Sequence, residues 1–414
     1  MSKKEDPIVR LPKPVLGLNN VSPDTDLPEG SLVSATNVDI DKEGNVFRRK
    51  GYTLLYSGSN IHSLYKKYFV EGTDLKQIND TPTPDIIATG LNLNNYLAWE
   101  SVNEEDVYSD GRMIRRISSQ PFSAPTPPSN PSLSPSTGSL FAGIYQVTVA
   151  FLQAGEIGGA LLASSITVND NAGITLSNIA QAPGCEIVVF CTTQNGEQLY
   201  HNITLSEGTT SFTIYNSRKH TYSVDTQFMD PLPPGHILRH FNARLYSAID
   251  NVLWFSRPMR YGLCKYSEDF MQFAAKITIV QAVDDGLFVV ADKTYFLAGD
   301  DPEDFTQVLV SPDTAIEGTG ISVGGAVFGL DGDSKVAYWF SSKGAVLGSA
   351  GGQIKQLTED RLAVDEGISR GATLFKEVDG IRQMVTSLQK GAQSSFQFGA
   401  QATTQIIRNG VIVT

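Results

Sequence analysis

The chain has 414 residues, 41% hydrophobic and only 18% charged, and its 32 basic residues against 44 acidic ones leave a net charge of −12. That length exceeds one compact core, since single domains usually run to about 100 to 200 residues, so two or three domains are expected. The acid surplus excludes a protein that coats nucleic acid or an anionic membrane; any contact with DNA has to be local or sliding.

In chain order, residues 1–50 carry Pro7, Pro12, Pro14, Pro23 and Pro28 among few periodic apolar positions, and are expected to form an extended arm that needs a surface to lie on. The opening MSKKEDPIVRLPKP has no apolar run behind its basic residues, and no apolar stretch of about 18 residues follows anywhere. Neither a secretory signal nor a membrane-spanning segment is expected, which implies synthesis and folding in the cytoplasm. From Gly51 onward an aromatic-rich strand, a tight polar turn and an alternating second strand recur, at 96–117, 244–256, 286–299, 326–347 and 372–388. Asp110-Gly111, Asp331-Gly332, Asp379-Gly380 and Asn409-Gly410 supply dipeptides suited to positive φ. Hairpins at about 40-residue intervals suggest propeller blades, with a long meander of irregular sandwiches as the alternative.

The run PFSAPTPPSNPSLSP at 121–135 interrupts the cadence and is expected to be a linker without ladder hydrogen bonds. Candidate strands at 143–151, 165–169, 174–179, 185–193, 198–205 and 210–215 then follow at the spacing of an immunoglobulin or fibronectin-like β-sandwich. DPLPPG at 230–235 returns the chain to the blade pattern. The expected fold is all-β: a propeller-like platform over 51–120 and 221–414, with a β-sandwich inserted over 121–220. At about 40 to 45 residues per blade, the platform makes about six blades. The best helical window, 356–366, is short and acidic.

Chemical motifs are sparse, and no catalytic, cofactor-binding or metal-ligating residue is expected. GISVG at 320–324 has the spacing of a nucleophile elbow, yet a strand and hairpin are expected after it instead of a helix. DIDKEG at 39–44 begins like a calcium loop but carries Lys50 where the bidentate Glu belongs, so a hairpin turn is expected. His236 and His240 lack a third ligand, and His62, His201 and His220 stand apart. Cys185 and Cys191, on one strand, would lie about 20 Å apart, beyond disulfide reach, and read as buried thiols. Asp284, Asp285, Asp300, Asp301, Asp331 and Asp333 could serve a glycosidase, but aspartates populate turns for local reasons. The basic clusters Arg48, Arg49 and Lys50, Lys66 with Lys67, and Arg112, Arg115 and Arg116 are places where an acidic partner surface can dock. Trp99, Trp254 and Trp339 sit inside strand patterns and are expected in the core.

The stretch NVDIDKEGNVFRRKGY at 37–52 resembles the opening segment of tail nozzle, or tail hub, proteins of short-tailed bacteriophages and their relatives. PGHILRHFNARLYSAIDNVLWFS at 234–256 resembles them too, and YSDGRMIRRI at 108–117 and the inserted sandwich fit the same picture. The resemblance implies a homo-oligomeric ring, commonly of six copies, below a portal and adaptor ring, meeting tail fibre or tip proteins and passing the genome through its lumen. An acidic conduit would let DNA slide without holding its phosphates. The competing reading is a propeller that binds a receptor or carbohydrate.

Overall fold

The computed structural model describes residues 13–14, 16–34, 38–40, 43–49, 53–79, 83–92, 96–118, 120–216, 222–330, 334–358, 361–364, 367–378, 381–390, 403–408 and 411–413. Lys50, His220, Asp333, the first twelve residues of the arm and the turns Asp331-Gly332, Asp379-Gly380 and Asn409-Gly410 lie outside the described residues. The regular elements are strands and short 3-10 turns, with no α-helix among the described residues; the window at 356–366 begins on the last residue of the strand Gln353–Gln356. The protein is all-β, built of propeller-like antiparallel blades with an inserted β-sandwich. It divides into two compact units, one of residues 1–61, 79–84 and 278–414, the other of 62–78 and 85–277. The residues of the expected platform therefore fall in both.

In the second unit, Ile61–Tyr65, Tyr68–Glu71, Asp74–Gln77 and Asp85–Ala88 form one four-stranded meander. Ile237–Phe241, Arg244–Ile249, Val252–Phe255 and Phe270–Gln272 form another, and Ala98–Val102, Glu105–Ser109 and Ile114–Arg116 a three-stranded sheet. Alternating side chains supply the packing: Ala98, Val102 and Val107 meet Leu238, Leu245 and Cys264 in one buried cluster.

The inserted sandwich pairs Ser132–Leu140, Ala172–Ser177 and Ser211–Ile214 in one sheet. The other carries Glu156–Ala160, Gly143–Gln153, Glu186–Thr192 and Leu199–Leu205, with Ser164–Val168 also paired to Gly143–Gln153. The first strand starts inside the expected linker and includes Pro135. Among the described residues it pairs on one side, with Ala172–Ser177, and an edge tolerates a residue that lacks an N–H. Tyr145, Val147, Val149 and Phe151 alternate into the shared core with Ile187, Val189 and Cys191. Their neighbours Ala150, Val188 and Phe190 point the other way into a second cluster with Ala160 and Leu199. That outer face is covered by residues 222–229, which bond to both flanking strands: Val224 N–H to the Leu199 carbonyl at 3.0 Å, and Phe228 N–H to the Ala160 carbonyl at 2.8 Å.

The first unit holds two further four-stranded meanders. Ile279–Val283, Gly286–Val290, Thr294–Ala298 and Thr306–Ser311 form one, and Ile321–Gly324, Lys335–Ser341, Gly344–Ser349 and Gln353–Gln356 the other. They share a core of Ile279, Phe288, Phe296, Trp339 and Val346. The expected hairpin over 326–347 is displaced: Gly325–Phe328 is a 3-10 turn, and the strands Lys335–Ser341 and Gly344–Ser349 turn at 342–343. Part of the arm lies on its own unit. The Asn20 side chain donates to the Ala363 carbonyl at 2.9 Å and accepts from the Ala363 N–H at 2.8 Å, while Arg361 donates to the Leu16 carbonyl at 3.0 Å.

Candidate interaction surfaces

The hairpin of Val38–Ile40 and Val46–Arg48 aligns Val38 with Arg48, Asp39 with Phe47 and Ile40 with Val46. Gly44, at φ 75°, occupies the left-handed region that its turn requires. The outer strand is exposed along its length, with Val46 at 52% and Phe47 at 53% of full exposure, so two apolar side chains and Arg48 face solvent together. Arg49 donates from Nε to Asp39 Oδ1 at 3.2 Å across the hairpin. Arg49 is exposed and Asp39 only half-buried, which limits that pair to about 1 kcal/mol at most.

Arg112, Arg115 and Arg116 lie in the second unit and are engaged there. Asp110, itself buried, accepts the N–H groups of Arg112 at 2.9 Å and Met113 at 3.1 Å, and Arg112 Nη2 at 3.1 Å. Burial raises the Asp110 pKa, but these donors outweigh it and the net shift is downward. Arg115 directs Nε toward Met113 Sδ at 2.7 Å. Arg116 donates to Glu105 at 3.1 Å and to Glu156 at 3.4 Å, and lies over the Phe122 ring. Because Glu156 opens a sandwich strand, Arg116 ties the insertion to the three-stranded blade. Arg260 adds contacts to Asp225 at 2.7 Å and Glu156 at 3.9 Å. A cavity of about 140 Å³ lies at this junction, lined by Asn103, Phe122, Ile157 and Tyr261 among others. Arg116 and Arg260 line it with Glu105 and Glu156, and Arg260 also reaches Asp225 outside the lining, an arrangement that holds two parts of the chain together and leaves no surplus positive charge for an anion.

Trp254, Tyr266 and Phe270 form an aromatic cluster that no motif in the sequence marks. Trp254 lies 5.3 Å from Tyr266 and 5.2 Å from Phe270, ring centre to ring centre, and Tyr266 and Phe270 are 46% and 39% exposed. Trp254 and Phe270 are cross-strand neighbours separated in sequence by an irregular segment, so no period-2 pattern links them. The expectation that all three tryptophans are core residues holds for Trp339 alone; Trp254 and Trp99 are half-buried, Trp99 stacking on Tyr65 at 5.1 Å.

The residues weighed for chemistry have structural partners. Ser322 Oγ lies 2.9 Å from both Gln281 Oε1 and the Ala282 carbonyl. Asp284, Asp285 and Asp301 accept backbone N–H groups from Lys335, Gly351 and Glu303. A His236 ring nitrogen lies 2.8 Å from the Ile277 carbonyl, and His201 stacks on Tyr222. Cys185, Cys191 and Cys264 are buried free thiols, and burial pushes Cys191 up to about 12. Among the described residues no group of three His, Cys, Asp or Glu side chains can hold a metal ion, and no helix is long and apolar enough to cross a membrane.

Neither a family model nor a curated protein matches the chain. Among solved structures it is similar to BBS1N in a complex with ARL6DN, at 12% identity and a TM-score of 0.33, over 83% of this chain and 91% of that one. It is also similar to a putative 6-phosphogluconolactonase of Bacteroides fragilis, at 10% identity and a TM-score of 0.21, over 64% of this chain and 87% of that one. Likenesses this loose add nothing to the fold read from the strands.

Proposed function

We propose that the chain is a structural virion protein, a nozzle or hub that forms a ring in a bacteriophage tail, commonly of six copies. In this reading it is made in the host cytoplasm, joins adaptor and portal-side proteins to tail fibre or tip proteins, and passes DNA transiently during ejection. The observation that carries the reading is the exposed hairpin. It coincides with the segment that resembles the nozzle family, and it presents Val46, Phe47 and Arg48 to solvent on a chain with a surplus of acid. A free monomer gains nothing from exposing these groups together, whereas association removes the apolar ones from water and pairs the cation. The net charge of −12 supports transient passage of DNA over retention. Sedimentation velocity of the purified chain over a hundredfold range of concentration tests the reading. It expects a discrete closed oligomer, and a monomer at every concentration, alone and with adaptor protein, counts against it.

The Trp254, Tyr266 and Phe270 cluster favours a second reading, a propeller that binds a receptor or carbohydrate by stacking sugar faces on aromatic rings. A glycan-array signal that disappears in Trp254→Ala would favour that reading over the ring.

A further inference from the structure

We infer that copies of the chain join head to tail, the hairpin strand Val46–Arg48 of one lying antiparallel against the edge strand Thr306–Ser311 of the next. This contact rests on the ring reading and names its two surfaces.

Thr306–Ser311 is the last strand of its sheet and pairs only with Thr294–Ala298 among the described residues. Its first four residues are exposed, Val308 at 42% and Leu309 at 53%. Its sequence, TQVLVS, carries none of the charges or prolines that ordinarily stop an edge from adding a strand. Ahead of it, with Phe305 between, the chain reads DDPED, and Asp300, Glu303 and Asp304 are exposed. Along this edge, acid is followed by apolar.

Val46–Arg48 is the complement. It too is a terminal strand, paired only with Val38–Ile40 among the described residues, and along it apolar Val46 and Phe47 are followed by Arg48 and Arg49. Antiparallel alignment sets Val46 and Phe47 against Leu309 and Val308. It also runs the two arginines toward Asp304 and Glu303, where long guanidinium side chains can reach the carboxylates. Parallel alignment with the same apolar contacts would set the arginines beside Val310 and Ser311, away from the acids. Two copies of one surface do not match, since the hairpin strand with Arg49 carries only cations and the edge with its approach only carboxylates, so self-pairing of either joins no opposite charges. The contact is therefore heterologous, the kind that closes into a ring when the rotation between copies permits.

The test uses the full chain in three forms beside the parent: Arg48→Glu, Asp304→Arg, and both together. Each single change is expected to raise the concentration needed for assembly at least tenfold, and the double change to recover most of the loss, with melting temperatures unaltered because both sites are exposed. A parent that forms a ring while the single variants assemble equally well overturns the contact and leaves the ring reading standing. Failure of the double variant to recover overturns it in the same way. A parent that never assembles removes the ring reading itself. Should a charge variant fold poorly, a mixture of Phe47→Cys and Val308→Cys chains under mild oxidation decides: a disulfide-linked mixed pair is expected, and its absence counts against the contact.

Discussion

Asp110 shows how much one residue can reveal and conceal. Asp110-Gly111 marks a turn correctly, but the strands end at Ser109 and resume at Ile114, so the loop has four residues and the aspartate works by gathering N–H groups within it. Two-residue turns with positive φ at both positions occur instead at Asn103-Glu104 and Asn242-Ala243, where no glycine announces them. Asp110→Ala should cost about 1 to 3 kcal/mol in chemical denaturation, since two loop N–H groups and the Arg112 guanidinium lose a charged, buried acceptor. The folded-state pKa of Asp110 is depressed, so its ionised form contributes stability above the ordinary carboxyl range, and that contribution is lost as pH falls through the folded value. The alanine variant should therefore lose less stability than the parent between pH 5 and pH 3, as read by thermal melts, and an identical acid limb would contradict this role. The arginine clusters were visible as charges, but the partners of Arg116 were not: Glu156 lies 40 residues away and meets it only through tertiary packing.

At the scale of elements, strand spacing exposed the sandwich but not its second face. The runs VAFL at 149–152 and IVVFC at 187–191 are continuously apolar because their sheet is covered on both sides, and a continuous run does not say by what. The cover is the strap of residues 222–229, which lies beyond the expected boundary at 220. A fragment of residues 129–229 should melt cooperatively, and one ending at 216 should lose at least several degrees or its cooperativity, because Phe190 and Val188 would face water. Equal melting of the two would show that the strap contributes nothing. Gly159 reports on the same strap: a β-carbon there would come within 1.8 Å of the Met229 carbonyl oxygen, so Gly159→Ala must displace it. A loss of about 1 to 3 kcal/mol is expected, with faster proteolysis near 222–229.

For the whole molecule, composition anticipated an all-β chain and turn-rich blades, since 37 glycines and a low charged fraction suit short strands. What it did not convey is the grouping of those blades into two compact units that divide near residue 278, because that grouping depends on which sheets share a core. The functional reading also belongs to this scale. Ordering an arm of 50 residues costs about 1 to 2 kcal/mol per residue in backbone entropy, which contacts within the unit or with another copy must offset. The contacts of Leu16 and Asn20 with Arg361 and Ala363 supply part of this, and the exposed hairpin that follows is left facing outward. The most direct measurement is negative-stain electron microscopy of the purified full-length chain. End-on views of a closed ring with an open centre are expected; isolated single-copy particles at every concentration, with and without adaptor protein, would overturn the ring.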